Sequence, residues 1–144
     1  MKPTTVIAAT LIAVGLGYVL WSAVWQRSAE QSQPVLEAGA LVNVLLPESL
    51  SPEAQLGKRG FDAKCAACHG RNAAGRDGVA PPLVHIIYEP GHHGDESFQR
   101  AAALGVRAHH WRFGDMPPVT GVTSSDVAKI TAYIRALQRT NGIN

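Results

Sequence analysis

Cys65-Ala66-Ala67-Cys68-His69 places two thiols three residues apart, with an imidazole directly behind the second. On one helical turn both thiols point to the same side, where each can add to a vinyl group of one haem as a thioether. The histidine then lies beneath the iron. Cys-x-x-Cys-His is a signature of covalent haem attachment. Two other chemistries use close cysteine pairs. A structural zinc site needs four ligands at paired spacing, and the chain has only 2 Cys. A redox dithiol of thioredoxin type needs a βαβ context, of which the sequence shows no sign. A downstream methionine supports the haem reading independently. Apart from Met1 the chain has only Met116, in the loop His109-His110-Trp111-Arg112-Phe113-Gly114-Asp115-Met116-Pro117-Pro118, which its prolines keep from becoming helical. A thioether is a soft ligand that favours ferrous iron, so a His/Met pair raises the reduction potential.

Helices must hold these groups in place. Ser51-Pro52-Glu53 combines a capping hydroxyl, a proline at the first helical position and an acid in the first turn, a helix start. That helix should run to about Lys64, with Leu56, Gly57 and Phe61 on one face. Gly57 in mid-helix costs about 1 kcal/mol relative to alanine, which makes sense where another helix crosses closely. The partner lies near the carboxyl end. Thr123-Ser124-Ser125-Asp126 opens a helix with Val127, Ile130, Tyr133, Ile134 and Leu137 at helical spacing, closed by Asn141-Gly142. Asp95 is expected to cap a third helix from Glu96 to about Leu104, with Gly105 at its end. Between 70 and 90 the Gly and Pro content reads as loops over a haem edge. No internal repeat and no strand pattern is evident.

Residues 6–25 are 20 residues without a formal charge, flanked by Lys2 and Arg27. At 1.5 Å per residue they span about 30 Å, the thickness of the hydrocarbon layer. Tyr18, Trp21 and Trp25 gather towards the far end, as interfacial anchors do. A cleaved signal peptide has a shorter apolar region and a small-x-small site, whereas Ala23 follows Trp21 and Ala29 follows Arg27 at the minus-three position. The expectation is an uncleaved anchor over 1–25, a linker over 26–50 and one domain over 51–144. The apolar run Leu41-Val42-Asn43-Val44-Leu45-Leu46 should not be free within that linker: the domain, a partner or the membrane surface could each receive it.

The length admits one domain plus a membrane segment. With both cysteines used by the motif no disulfide is available, so the haem must staple the core. Net charge is +2, and from 51 to 144 there are 11 Lys and Arg against 8 Asp and Glu, which two haem propionates would largely offset. Nucleic-acid binding is excluded for want of a dense basic stripe.

From 51 to about 139 the chain resembles the class I c-type cytochromes, of the mitochondrial-like branch. The residues that carry the likeness are Gly57 and Phe61, Cys65-x-x-Cys68-His69, Ala80-Pro81-Pro82-Leu83, Gly114-Asp115-Met116-Pro117 and Tyr133. Phe61 stands four before Cys65 and Pro81 twelve after His69, as in that branch. The resemblance implies an all-α fold, here a single transmembrane helix followed by three to five helices around one covalent haem c. It implies that Cys65 and Cys68 hold the haem, that His69 and Met116 ligate iron, and that Pro81 offers its carbonyl to His69, with Leu83 beside it. With both axial positions filled, no small-molecule substrate is expected and electron transfer is favoured over catalysis. Membrane-anchored monohaem forms of proteobacterial type further imply a periplasmic domain on the inner membrane, a cytochrome bc1-like donor and an oxidase-like acceptor. Lys58, Arg59, Lys64, Arg71 and Arg76 are candidates for a basic rim that steers an acidic partner.

The additional histidines depart from a plain cytochrome. His85, His92, His93, His109 and His110 could hydrogen-bond loops and haem propionates together with Trp111 and Arg112. Alternatively, the two adjacent pairs could bind copper or zinc, or exchange with Met116 at the iron in a sensor. The first reading is preferred, because no spacing among them matches a recognised ligand pattern.

Overall fold

The computed structural model describes residues 38–144 together with residues 15, 17–19, 21 and 22. The chain divides into two units, Met1–Pro34 and Val35–Asn144. In the first unit the described residues are helical, and the Ser22 hydroxyl donates to the Val19 carbonyl at 2.9 Å. The membrane span expected over 6–25 lies mostly outside the described residues. Among the described residues no helix is long and apolar enough to cross a membrane.

The second unit is helical: α1 Pro52–Lys64, α2 Ala66–His69, α3 Asp95–Leu104 and α4 Ser124–Thr140, with single 3-10 turns at Arg71–Ala73 and Ile86–Tyr88. The described residues contain no strand, only the isolated bridges Arg76 to Ala80 and Val106 to Met116. α1 starts where its sequence directs. The Ser51 hydroxyl accepts from the Ala54 N–H at 3.2 Å, and Pro52 occupies a position whose missing N–H costs nothing. α4 opens with a reciprocal cap, Thr123 accepting from the Asp126 N–H at 3.2 Å while the Asp126 carboxylate accepts from the Thr123 N–H at 2.9 Å.

α1 and α4 cross at Gly57. A Cβ there would stand 1.8 Å from the Lys129 carbonyl oxygen, so only glycine lets the backbones approach this closely. Beside the crossing, the Phe61 and Tyr133 rings pack at 5.7 Å between centroids, tilted by 58°, and Ile130, Ile134 and Leu137 complete the core. The buried face of α1 is Ala54, Gly57 and Phe61. Leu56, expected on that face, is 45% exposed, because a step of one residue turns about 100° around a helix. The crossing predicts that Gly57→Ala destabilises the domain by about 2 kcal/mol or more. The overlap with Lys129 can be relieved only by parting the helices, and this outweighs the roughly 1 kcal/mol by which alanine favours a helix. Chemical denaturation of the haem-loaded protein checks this through its midpoint.

Two segments sit differently from expectation. α3 is capped by Gly94, with Asp95 as its first helical residue; the Asp95 carboxylate instead accepts from Arg135 Nε at 2.9 Å. The apolar run near 41–46 lies on the domain. Leu41 and Val42 both donate to the Ala74 carbonyl at 3.1 Å, and the Asn141 side chain pairs with both backbone groups of Leu45 at 2.9 Å. Val44 and Leu50 pack against the core.

Candidate functional site

The turn between α1 and α2 presents the two thiols. Cys65 terminates α1, its N–H reaching the Phe61 carbonyl at 2.8 Å, and His69 N–H returns to the Cys65 carbonyl at 2.9 Å. Cys68 is exposed, whereas Cys65 is half-buried. Burial first, and then the neighbouring Cys68, push the Cys65 thiol up to about 11. A dithiol tuned for exchange has its thiol lowered, so this pair runs in the opposite direction.

His69 is buried, and burial lowers its pKa although the Pro81 carbonyl works against the fall. The ring is therefore neutral at neutral pH. His69 Nδ1 lies 2.9 Å from the Pro81 oxygen. A carbonyl only accepts, so Nδ1 carries the proton and Nε2 keeps its lone pair for a metal. The loop that brings Pro81 there folds tightly. A Cβ on Gly70, at φ +73°, would stand 2.3 Å from the Gly75 carbonyl oxygen. Gly75 N–H bonds the His69 carbonyl at 2.7 Å, and Leu83 N–H bonds Ala73 at 2.9 Å.

Met116 is held by its backbone. Its N–H and C=O both pair with Val106 at 2.9 Å, and a Cβ on Gly105 would come within 2.4 Å of the Met116 oxygen. Asp115 reinforces this by accepting from the Ala108 N–H at 2.8 Å. The two sides of the loop are thus closed on each other, with Met116 at the closure.

Cys65, Cys68, His69, Pro81, Leu83, Trp111 and Met116 all line one crevice of about 780 Å³. Arg112 is exposed and does not line it. Trp111 stacks on Phe113 at 5.9 Å and meets the His85 ring edge-on at 5.1 Å. Its indole N–H is buried without a hydrogen-bond partner of good geometry, though it is near enough to the Tyr88 hydroxyl to offset part of the rise that burial causes in that phenol. Of the five basic residues singled out from the sequence only Lys64 lines the crevice, joined there by Arg100 and Arg107. Lys58 pairs with Asp62 on the exposed side of α1 at 2.5 Å, and Arg76 donates to the Ala67 carbonyl at 2.8 Å.

Sequence reasoning missed the polar hub behind the crevice. Arg135, buried on α4, donates to Asp95, to the Tyr88 carbonyl at 2.6 Å, to Gln138 at 2.6 Å and to the His93 carbonyl at 2.5 Å. Gln138, fully buried, donates to the Leu83 and Tyr88 carbonyls at 2.8 and 3.0 Å. Together they pin the 83–93 segment to α4. Their register was the available signal: 131, 135 and 138 fall on the same buried stripe as the apolar residues of α4.

A family model described as cytochrome c matches residues 54–138. No curated protein and no solved structure matches the chain. The residues present fit a haem: two uncommitted thiols on one turn, an imidazole whose Nε2 is left free by the Pro81 bond, and a crevice with a buried indole N–H that still needs an acceptor. The chain belongs to the cytochrome c family and carries one covalently attached haem c, held through Cys65 and Cys68.

Proposed function

We propose that this haem-based electron carrier works as a membrane-anchored, periplasmic cytochrome that moves single electrons from a quinol-oxidising cytochrome complex to a terminal oxidase or similar acceptor. One observation carries the reading of the site. His69, locked in one tautomer by Pro81, and Met116, locked at its backbone by Val106, open into one crevice, where they would offer an imidazole nitrogen and a soft thioether sulfur to a haem iron. Haem iron held by imidazole and thioether exchanges one electron at a raised potential and keeps no open position for a substrate. The chain's own contribution is rigidity: both ligands are fixed by backbone partners, so little must rearrange when charge changes. The buried Trp111 indole N–H, which lacks a well-aligned acceptor, would be a donor for a haem propionate.

Support for the anchor is the uncharged stretch over 6–25. Support for an acidic partner is the crevice rim, where Lys64, Arg100 and Arg107 outnumber Asp115. Such a rim speeds encounter with a negative surface and loses its effect as salt rises. The sensor reading, in which His109 or His110 displaces Met116, is less well supported. Met116 is fixed at the crevice by both of its backbone groups, paired with Val106 at 2.9 Å, whereas His110 Nε2 faces His92 Nε2 at 3.4 Å.

Potentiometric titration of the membrane-extracted holoprotein is expected to give one Nernstian wave with about 59 mV per tenfold change in ratio, the one-electron value. Reduction by membranes with quinol-oxidising activity should slow with ionic strength. Rapid reaction of the reduced protein with oxygen or peroxide would instead show an open iron and contradict the carrier.

A further inference from the structure

The haem-directed residues leave a second group of imidazoles unexplained. His92, His93 and His110 come from two loops 17 or 18 residues apart in sequence, yet one ring nitrogen from each lies within 4.8 Å of the other two. The geometry points to a second metal site, in which these three histidines bind one divalent transition-metal ion, copper or zinc, separately from the haem iron.

Three features carry this. First, His92 Nε2 and His110 Nε2 are 3.4 Å apart. Two nitrogens bound at about 2.0 to 2.1 Å in a tetrahedral shell stand roughly 3.3 to 3.4 Å apart, so the separation fits two ligands of one ion. As a hydrogen bond it is long for nitrogen donors. Second, His93 is oriented in advance. Its Nδ1 lies 2.6 Å from the Ile87 carbonyl, which makes Nδ1 the donor and leaves Nε2 with a free lone pair, the same second-layer arrangement that His69 has with Pro81. Third, the segment carrying His92 and His93 is anchored from behind: both backbone N–H groups bond to the Glu89 carbonyl, and Arg135 holds the His93 carbonyl. A flexible pair of surface loops would not keep three imidazoles this close.

The crowding of so many imidazoles argues the same way. The His92, His93 and His110 rings meet pairwise at 4.6, 5.3 and 5.2 Å between centroids, and His109 meets His110 at 4.3 Å. No carboxylate belongs to the group. Protonated rings repel at these distances, and neutral ones gain little from one another, whereas an ion shared among their lone pairs stabilises the cluster. An all-imidazole set suits copper and zinc among biological metals, and copper binds more tightly at any such site. The spacing His92-His93 and His109-His110 hides the site in sequence, because the ligands converge only when the Met116 loop closes beside the 85–94 loop.

Since His93 and His110 also line the haem crevice, a dication bound there adds positive charge to one wall. Positive charge near the haem favours the reduced state, so metal binding is expected to raise the midpoint potential, most at low ionic strength.

The test uses tag-free oxidised holoprotein, with its haem attached, dialysed against Zn2+ and separately against Cu2+. One ion per chain beyond the iron is expected, with imidazole nitrogen couplings in the electron paramagnetic resonance of the Cu2+ form and a higher midpoint with Zn2+ bound. His92→Gln, at a residue outside the crevice, should weaken uptake at least tenfold while the haem spectrum stays unchanged. His93→Gln with His110→Gln should abolish uptake. No ion beyond the iron, or uptake equal in native and substituted proteins, overturns the site. Either result leaves the one-electron titration of the haem intact, so failure here is distinguishable from failure of the carrier reading.

Discussion

With Cys65 and Cys68 both replaced by alanine, the chain is expected to retain no haem under denaturing conditions and to lose cooperative unfolding altogether. The crevice explains the size of the effect. Without the haem the walls of this crevice of about 780 Å³ lose the packing partner that fills it, a loss that grows with the space left empty, and an ordinary domain has only about 5 to 15 kcal/mol of stability to set against it. The α1–α4 crossing alone supplies too small a core to compensate. Haem staining after denaturing electrophoresis reads the covalent link, and circular dichroism during heating reads the fold. A double variant that still melts cooperatively at the native temperature would contradict the haem's role as part of the core.

The second large effect is on potential. Met116→His is expected to keep two axial ligands while lowering the midpoint by roughly a hundred millivolts or more, within the span of about 0.8 V over which axial ligands move haem potentials. The closure between Met116 and Val106 depends on backbone groups alone, so the substituted residue is presented from the same position. The thioether's preference for ferrous iron is then lost. Potentiometry on the variant checks the fall. An unchanged midpoint would mean that Met116 does not reach the iron.

The sequence was most legible where a local signal and a long-range one agree. Ser51-Pro52 and Thr123 to Asp126 mark helix starts by short-range hydrogen bonding, and Gly57 announces a crossing because nothing local justifies a glycine there. Leu56 and Asp95 sit elsewhere than expected for different reasons: Leu56 stands one position, about 100° around the helix, from Gly57, whereas for Asp95 a tertiary contact decides between neighbouring positions that local preference leaves nearly equal. Asp95 could cap α3, but the buried Arg135 guanidinium draws its carboxylate away. Arg135 and Gln138 themselves were not legible, since a polar residue on an apolar stripe reveals its partners only when the 83–93 segment is laid over α4. The histidines were legible as residues and not as a cluster. Their convergence is set by two loops whose paths depend on Gly105, Asp115 and Arg135 together. His110 shows the consequence: its pKa is lowered first by dehydration of the ring and then by His109, His93 and His92 in turn.

Whether an imidazole and a thioether together close the iron to everything but electrons can be read from proton magnetic resonance of the reduced holoprotein. An iron-bound methionine places its methyl group over the haem plane, where ring currents shift it strongly away from ordinary side-chain signals. Because Met116 is the only methionine besides Met1, the assignment is unambiguous. One such signal is expected in the native protein, unchanged when His109 or His110 is replaced by glutamine. A native spectrum without it, in which the signal appears only in His110→Gln, would make histidine the resting ligand and replace the carrier with a ligand-switching sensor.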